Sequence, residues 1–138
     1  IRLAEDEDYG RALVDAGATA VYLQFDGVTA AVQERMRGAD LLPLKRKALE
    51  NCARWKIGVI LVPTIVKNVN DGQVGDIIRF AKRWMPTVKG VHFQPAAFLG
   101  RYPAAPRNEE RFLLSDLLAA LETQTHGELR VENLIPAG

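Results

Sequence analysis

The chain is short of the residues from which most metal and redox centres are built. Its 138 residues include one cysteine, Cys52, and two histidines. An internal disulfide is therefore excluded, and so is a metal site assembled from several thiolates of this chain. A single cysteine also favours a reducing compartment, so a cytoplasmic location is expected. No apolar run approaches the roughly 18–20 residues that a membrane-spanning helix requires. An excess of one charge is lacking too: 18 basic and 17 acidic residues leave a formal +1. That balance gives no electrostatic case for nucleic acid or for an anionic membrane surface. The loops G-x-G-x-x-G and G-x-x-x-x-G-K-[ST] do not occur, nor does a G-x-S-x-G elbow or an H-E-x-x-H zinc helix. The opening IRLAEDEDYG begins without methionine and carries no signal-peptide apolar segment. It reads as the start of a piece cut from something longer.

What is present is enough apolar residue, 48% of the chain, to bury one core of common domain size. The segments alternate between two periods. AEDEDYGRALVDAG has acidic residues at its start and Gly17 at its end, with Tyr9, Ala12, Leu13 and Ala16 on one stripe, which predicts a short helix. Residues 19–26 follow as a strand. Thr29 is expected to cap a helical stretch through Arg37 that Gly38 breaks, and Asp40 to cap a longer helix with Pro43 in its first turn. Leu41, Leu44, Ala48, Cys52 and Trp55 form the stripe of that helix, so Cys52 reads as a small core residue. IGVILVPTIV at 57–66 is a second strand. Asn70 and Gln73 match a capping box, opening a helix whose buried face is Val74, Ile77, Ile78, Ala81 and Met85. VKGVHFQP at 88–95 is a third strand, roughly 96–108 a long loop, and Ser115 the cap of a last helix ending near Thr125 and Gly127. The tail ELRVENLIPAG has no clear period.

Strands separated by helices in this way make right-handed crossovers and a parallel sheet. The fold class is thus α/β, with about three parallel strands that belong to a larger barrel or an open wound sheet. Ligands gather at the C-terminal ends of such strands, and there the sequence places its polar residues. Tyr22, Gln24 and Asp26 share one face of the first strand by alternation, Val62 and Thr64 one face of the second, His92 and Gln94 one face of the third. Asp26 with Gly27 also fits a plain strand-to-loop turn, and Lys67 and Arg101 fit solvated surface. Buried amides such as Gln24 and Gln94 are costly without partners, which favours a site.

The succession VYLQFDGVTAAVQERMRG, DLLPLKRKALENC, GVILVPTIVKNVNDGQVGDIIRFAKRW and KGVHFQPAAFLGRYP resembles the second half of a radical S-adenosylmethionine (radical SAM) domain. In that family a strand ends in a polar-x-polar pair followed by x-R-G and a helix, the next ends in a turn like VND, and a later one ends near a proline. The likeness is greatest to the iron–sulfur oxidoreductase-like branch with lipid-joining and pterin-methylating enzymes, and more distant to molybdopterin-biosynthesis and glycyl-radical activating enzymes. It implies a partial (β/α)6 barrel over residues 1–105, with a C-terminal helix and tail at 106–138. It implies that Gln24, Asp26, Thr64, Gln94 and Ala97 face bound S-adenosylmethionine. Beside the resemblance, His92 and Arg101 are candidates for contact with a small-molecule or lipid substrate, and Lys67 or Arg101 could hold an anionic one. The family's [4Fe–4S] cluster needs a C-x-x-x-C-x-x-C loop, which this chain lacks. The resemblance therefore implies that the cluster ligands come from a missing N-terminal half of the barrel, that the parent cleaves S-adenosylmethionine reductively for methylation or carbon–carbon joining, and that this chain alone is inert. A half barrel would leave two sheet edges and an inner face uncovered, which favours self-association. A non-enzymatic α/β interaction module is the competing reading. A phosphate-handling barrel is disfavoured by the absence of a glycine-rich phosphate loop.

Overall fold

The apolar run at 57–66 forms two strands because Pro63 interrupts it. A computed structural model describes residues 2–98 and 107–135. In it, β2 spans Gly58–Val62 and β3 spans Thr64–Ile65. Proline has no N–H to give to a ladder, and pairing resumes one residue later. The third expected strand is interrupted at the same level, into β4 (Val88–Val91) and β5 (Gln94–Pro95). Together with β1 (Ala20–Gln24) these make a parallel three-stranded sheet in the order β1-β2-β4, extended at its C-terminal end by the parallel pair β3-β5. The registers place Tyr22 beside Ile60 and Ile60 beside Gly90, and Thr64 beside Gln94.

Helices cross between the strands as the periodicity predicts. They are α1 (Arg2–Glu5), α2 (Glu7–Asp15), α3 (Ala30–Arg37), α4 (Leu42–Trp55), α5 (Val74–Arg83) and α6 (Leu114–Gln124). The expected first helix is divided because the Asp6 carboxylate caps α2, accepting from the Tyr9 N–H at 2.8 Å. Gly38 ends α3 in the left-handed region at φ 79°, a conformation that costs glycine little. Asp40 accepts from the Leu42 N–H at 3.0 Å ahead of α4, and Pro43 sits in its first turn.

Three expected caps are corrected. Asn70 and Gln73 make no capping box: neither side chain caps a helix, and α5 begins at Val74 after a 3-10 turn over Asp71–Gln73. Thr29 flanks α3 without a side-chain cap bond. Ser115 lies inside α6, whose first turn is held instead by Asp116 accepting from the Leu113 N–H. Met85, expected on the buried face of α5, lies past its end and is 67% exposed; Phe80 fills that role at 2%. The tail forms a 3-10 turn at Val131–Asn133, and Leu129 and Leu134 pack on the core. The boundary expected near residues 105 and 106, most of the long loop and Arg101 lie outside the described residues.

The main core lies on one side of the sheet, with Val62, at 9% exposure, buried on the other. Phe25, Val59 and Leu61 meet Leu49 and Cys52 of α4 and Ile77 and Phe80 of α5, all at 2% exposure or less, each large apolar side chain contributing about 1.5–3 kcal/mol by burial. The Phe25 and Phe80 rings stack with centroids 4.5 Å apart. The odd-numbered residues Val21, Leu23, Val91 and Phe93 lean on this core. Alternation sends Tyr22, Gln24, Ile60, Gly90, His92 and Gln94 to the opposite face, where Tyr22 is 72% exposed. No described helix covers that face, as a barrel strand set seen from its lumen requires.

Candidate functional site at the strand ends

Asp26 is the hub of the strand ends, and it is turned inward. It is fully buried, one residue beyond Phe25, whose N–H is given to the Val62 carbonyl. Its carboxylate accepts four hydrogen bonds: from Arg37 Nε at 2.7 Å and Nη2 at 2.9 Å, from Gln24 Nε2 at 2.6 Å and from the Thr64 N–H at 3.1 Å. The Arg37 pair is bidentate, the geometry in which guanidinium and carboxylate interact most strongly. Lys45 Nζ stands 3.9 Å away and donates to Gln33 Oε1 at 2.6 Å, while Gln33 donates to the Gly27 carbonyl at 2.8 Å. Burial works to raise the Asp26 carboxyl, but the bonds from Arg37, Gln24 and Thr64 outweigh it and hold the carboxyl below its ordinary range. Burial lowers the Lys45 ammonium, partly offset by the attraction of Asp26, and the bonds to Asp26 raise Arg37.

A second buried amide fixes the loops. Asn70, at 1% exposure, donates to the Asp26 and Thr64 carbonyls, both at 2.7 Å, and accepts from the Val66 N–H at 2.7 Å. Gln73 accepts from the Val28 N–H at 2.9 Å and donates to Thr29 Oγ1. The ends of the first two strands are thereby tied together by side chains, where the ladder has stopped.

The residues singled out from the sequence are distributed unevenly. Gln24 and Thr64 meet, Gln24 Nε2 donating to Thr64 Oγ1 at 3.2 Å, and Thr64 pairs in register with Gln94. These three form a row across the strand ends on the face away from the helices. The expectation that both amides are buried is corrected: Gln94 is exposed and Gln24 half-buried, and Gln24 Oε1 and the Gln94 amide, which bind no other described residue, are left to water. His92 and Ala97 are exposed and bonded to no described side chain. Asp26 is committed to Arg37, Gln24 and Thr64, so it shapes the row from behind.

Sequence reasoning missed Arg37, Lys45, Gln33 and the bridging role of Asn70. Two signals were readable. Lys45 stands four residues after Leu41 and three before Ala48, on the apolar stripe of α4, where a charge must find a partner. Arg37 ends α3 beside Gly38, in the x-R-G that follows the strand. Arg37, Lys45 and Gln24 form the polar end of a cleft of about 250 Å³ between the outer edge of β1 and α4, whose apolar wall is Leu23, Leu41 and Leu44. Among the described residues no group of three His, Cys, Asp or Glu side chains is placed to hold a metal. No described helix is long and apolar enough to cross a membrane.

No protein-family model matches the chain. It is 42% identical over 132 residues to the 7,8-dihydro-6-hydroxymethylpterin dimethyltransferase of Methanocaldococcus jannaschii, a match covering 94% of this chain and 26% of that protein. It is 22% identical over 111 residues to the GTP 3',8-cyclase of Nautilia profundicola, covering 80% of this chain and 34% of that protein. The chain thus spans between about a quarter and a third of the length of the curated relatives it matches. With a parallel sheet bare on one face and a polar row at its strand ends, these similarities support a relationship of the chain to the radical SAM enzymes.

Proposed function

We propose that this chain is half of a radical SAM barrel, that its helix-free sheet face lines the lumen, and that the parent protein acts on a fused-ring heterocycle. The observation that carries the reading is the row Gln24–Thr64–Gln94, which keeps open hydrogen-bonding capacity at the C-terminal ends of parallel strands. The donor set fits the hydroxyls and the base of S-adenosylmethionine: neutral amides and a hydroxyl supply donors and acceptors without a charge to clash with the cofactor's own. Asp26, with its oxygens engaged, orients Gln24 and does not itself hold the ligand. Bound there, S-adenosylmethionine would supply an adenosyl radical if given one electron by a [4Fe–4S] cluster, or a methyl group by transfer to a nucleophile. The cluster does not fit this chain, whose one cysteine, Cys52, is 1% exposed in the apolar core with burial pushing its thiol up. Its ligands belong elsewhere in the protein, and the chain by itself is inert.

The two relatives support a reading of the substrate class. A pterin and a guanine nucleotide share one chemical feature, a 2-amino-4-oxopyrimidine edge fused to a second ring. We read this chain's parent as acting on a ring of that kind, with methyl transfer the nearer reaction because the more similar relative is a dimethyltransferase.

The test uses the whole parent protein, reconstituted with iron and sulfide without oxygen. Formation of 5′-deoxyadenosine or S-adenosylhomocysteine from S-adenosylmethionine is expected, and Gln24→Ala is expected to raise the KM for the cofactor. A parent that binds no cluster and consumes no S-adenosylmethionine would overturn the reading in favour of an association module.

A further inference from the structure

The cleft beside β1 carries more positive charge than this chain balances. Arg37 and Lys45 both line its polar end, and among the described residues each has the same carboxylate, Asp26, as its ion-pair partner. Two cations share one anion, which leaves a formal excess of +1. Arg37 takes the bidentate position at 2.7 and 2.9 Å. Lys45 Nζ is left at 3.9 Å and donates instead to the neutral Gln33 amide oxygen. The Lys45 side chain is only 9% exposed, so water does little to offset the excess. Burial and the nearby Arg37 both work against its charge. A buried ammonium is costly unless it has a counter-ion of its own.

The rest of the cleft indicates what accompanies the missing charge. Its wall is Leu23, Leu41, Leu44 and Ala48. Leu42 packs on the core, whereas Leu41 and Leu44 stay half-buried and line the cleft. The other end of α4 is already covered. There Asn51 Nδ2 donates to the Leu3 and Ala4 carbonyls at 2.9 and 3.2 Å, and Arg54 pairs with Glu7. The bare part is therefore the N-terminal half of α4. At about 250 Å³ the cleft exceeds the roughly 150 Å³ that admits a benzene ring, so an apolar side chain and a carboxylate fit together. It opens beside β1, which pairs with β2 on one side and with no described strand on the other. An unpaired edge is a template for a further strand.

We infer that this cleft is the socket for a strand of the parent protein that pairs with the free edge of β1, sends an Asp or Glu side chain to Lys45, and lays apolar residues against Leu23, Leu41 and Leu44. The inference rests on the half-barrel reading above and adds the chemistry of the surface that joins the halves, a buried salt bridge whose acid this chain lacks. Arg37 and Asp26 remain a neutral pair, and the incoming carboxylate neutralises Lys45. A strand is favoured over a free small acid because one segment then satisfies both the bare β1 edge and the cleft.

The experiment uses the whole parent protein and zero-length carbodiimide coupling, which joins a lysine amine to a carboxylate it touches, read by peptide mass spectrometry. Wild type is expected to give a peptide in which Lys45 is joined to an Asp or Glu outside residues 1–138. Lys45→Met separates the cases by sign. With the incoming acid in place the variant strands a buried carboxylate, and Tm is expected to fall by roughly 5 °C or more. Changing the coupled acid to its amide as well is expected to recover most of that loss. Without such an acid the variant removes an uncompensated charge, and Tm holds or rises. A Tm that holds or rises would overturn the inference, as would coupling of Lys45 to residues 1–138 only. If Lys45→Met does not fold, the coupling in wild type decides. Hexanoate that raises Tm in wild type but not in Lys45→Met would also overturn it, in favour of a small-molecule site. Coupling to an outside acid in a parent that consumes no S-adenosylmethionine would keep the socket and sink the radical reading alone. A parent that consumes S-adenosylmethionine without that coupling would sink the socket alone.

Discussion

Replacing Asp26 by asparagine keeps the side chain's volume and removes its charge, so it tests what holds the strand ends together. Every acceptor site in use on Asp26 faces a donor: Arg37 Nε on one oxygen, and Arg37 Nη2, Gln24 Nε2 and the Thr64 N–H on the other. Whichever way the amide of Asp26→Asn turns, its NH2 confronts a donor. Lys45, with a side chain only 9% exposed, also loses its counter-charge. Breaking a buried charge pair costs about 3–5 kcal/mol. The Arg37 side chain is 35% exposed, so water screens part of the loss, and about 3 kcal/mol is expected. Against a total of about 5–15 kcal/mol for a domain, that is a large share. With a urea slope of about 1–3 kcal/mol/M, the unfolding midpoint should fall by about 1–3 M, followed by far-ultraviolet circular dichroism. The pH dependence carries a second check. The folded carboxyl lies below its unfolded value of about 3.9, so the unfolded state binds more protons between the two values and stability rises with pH there. The contribution is thus complete above about pH 5 and is lost as pH falls through the folded value. The difference between wild type and Asp26→Asn should narrow below about pH 4. A difference under about 1 kcal/mol at pH 7, or one unchanged at low pH, would refute the account of Asp26 as a buried hub.

Asn70→Ala leaves the Asp26 and Thr64 carbonyls and the Val66 N–H without their partner. At about 1–3 kcal/mol for an unsatisfied buried group, Tm should fall on the order of 10 °C, and a fall of only a degree or two by calorimetry would remove Asn70 from the framework. Gly75→Ala would set a Cβ 2.5 Å from the Gln124 carbonyl oxygen, a backbone atom that cannot swing aside. Amide exchange in α6 should rise selectively, and unchanged protection there would contradict the contact. Cys52 is 1% exposed and burial pushes its thiol up, so a disulfide reagent should modify it only in urea; rapid labelling of the native chain would count against its place in the core.

Much of the fold was readable along the chain. The 2.0 and 3.6 periods located the three main strand runs and the crossing helices, because apolar spacing is a local record of which face is buried. Gly17, Gly38 and Gly127 mark turns where φ is positive, at 82°, 79° and 78°. Gln24 and Thr64 could be put on one polar face by alternation alone. The capping reading at Asn70 failed because an Asn before an apolar run is equally suited to bonding loop backbone, and distant partners decide which occurs; at Ser115 it failed locally, since α6 starts at Leu114 and Asp116 takes the Leu113 N–H. For Asn70 those partners are Asp26 and Thr64, 44 and 6 residues away. The direction of Asp26 was likewise not local. Alternation placed it beside Gln24, but Arg37 and Lys45, brought from α3 and α4, supply the charge that lets its carboxylate stay buried. The sequence by itself determined which residues face the core and where the polar ends of the strands lie, because those follow from backbone period. Only the tertiary structure decided which polar groups are spent on one another and which are left to meet a ligand, because pairing depends on distances between segments far apart in the chain.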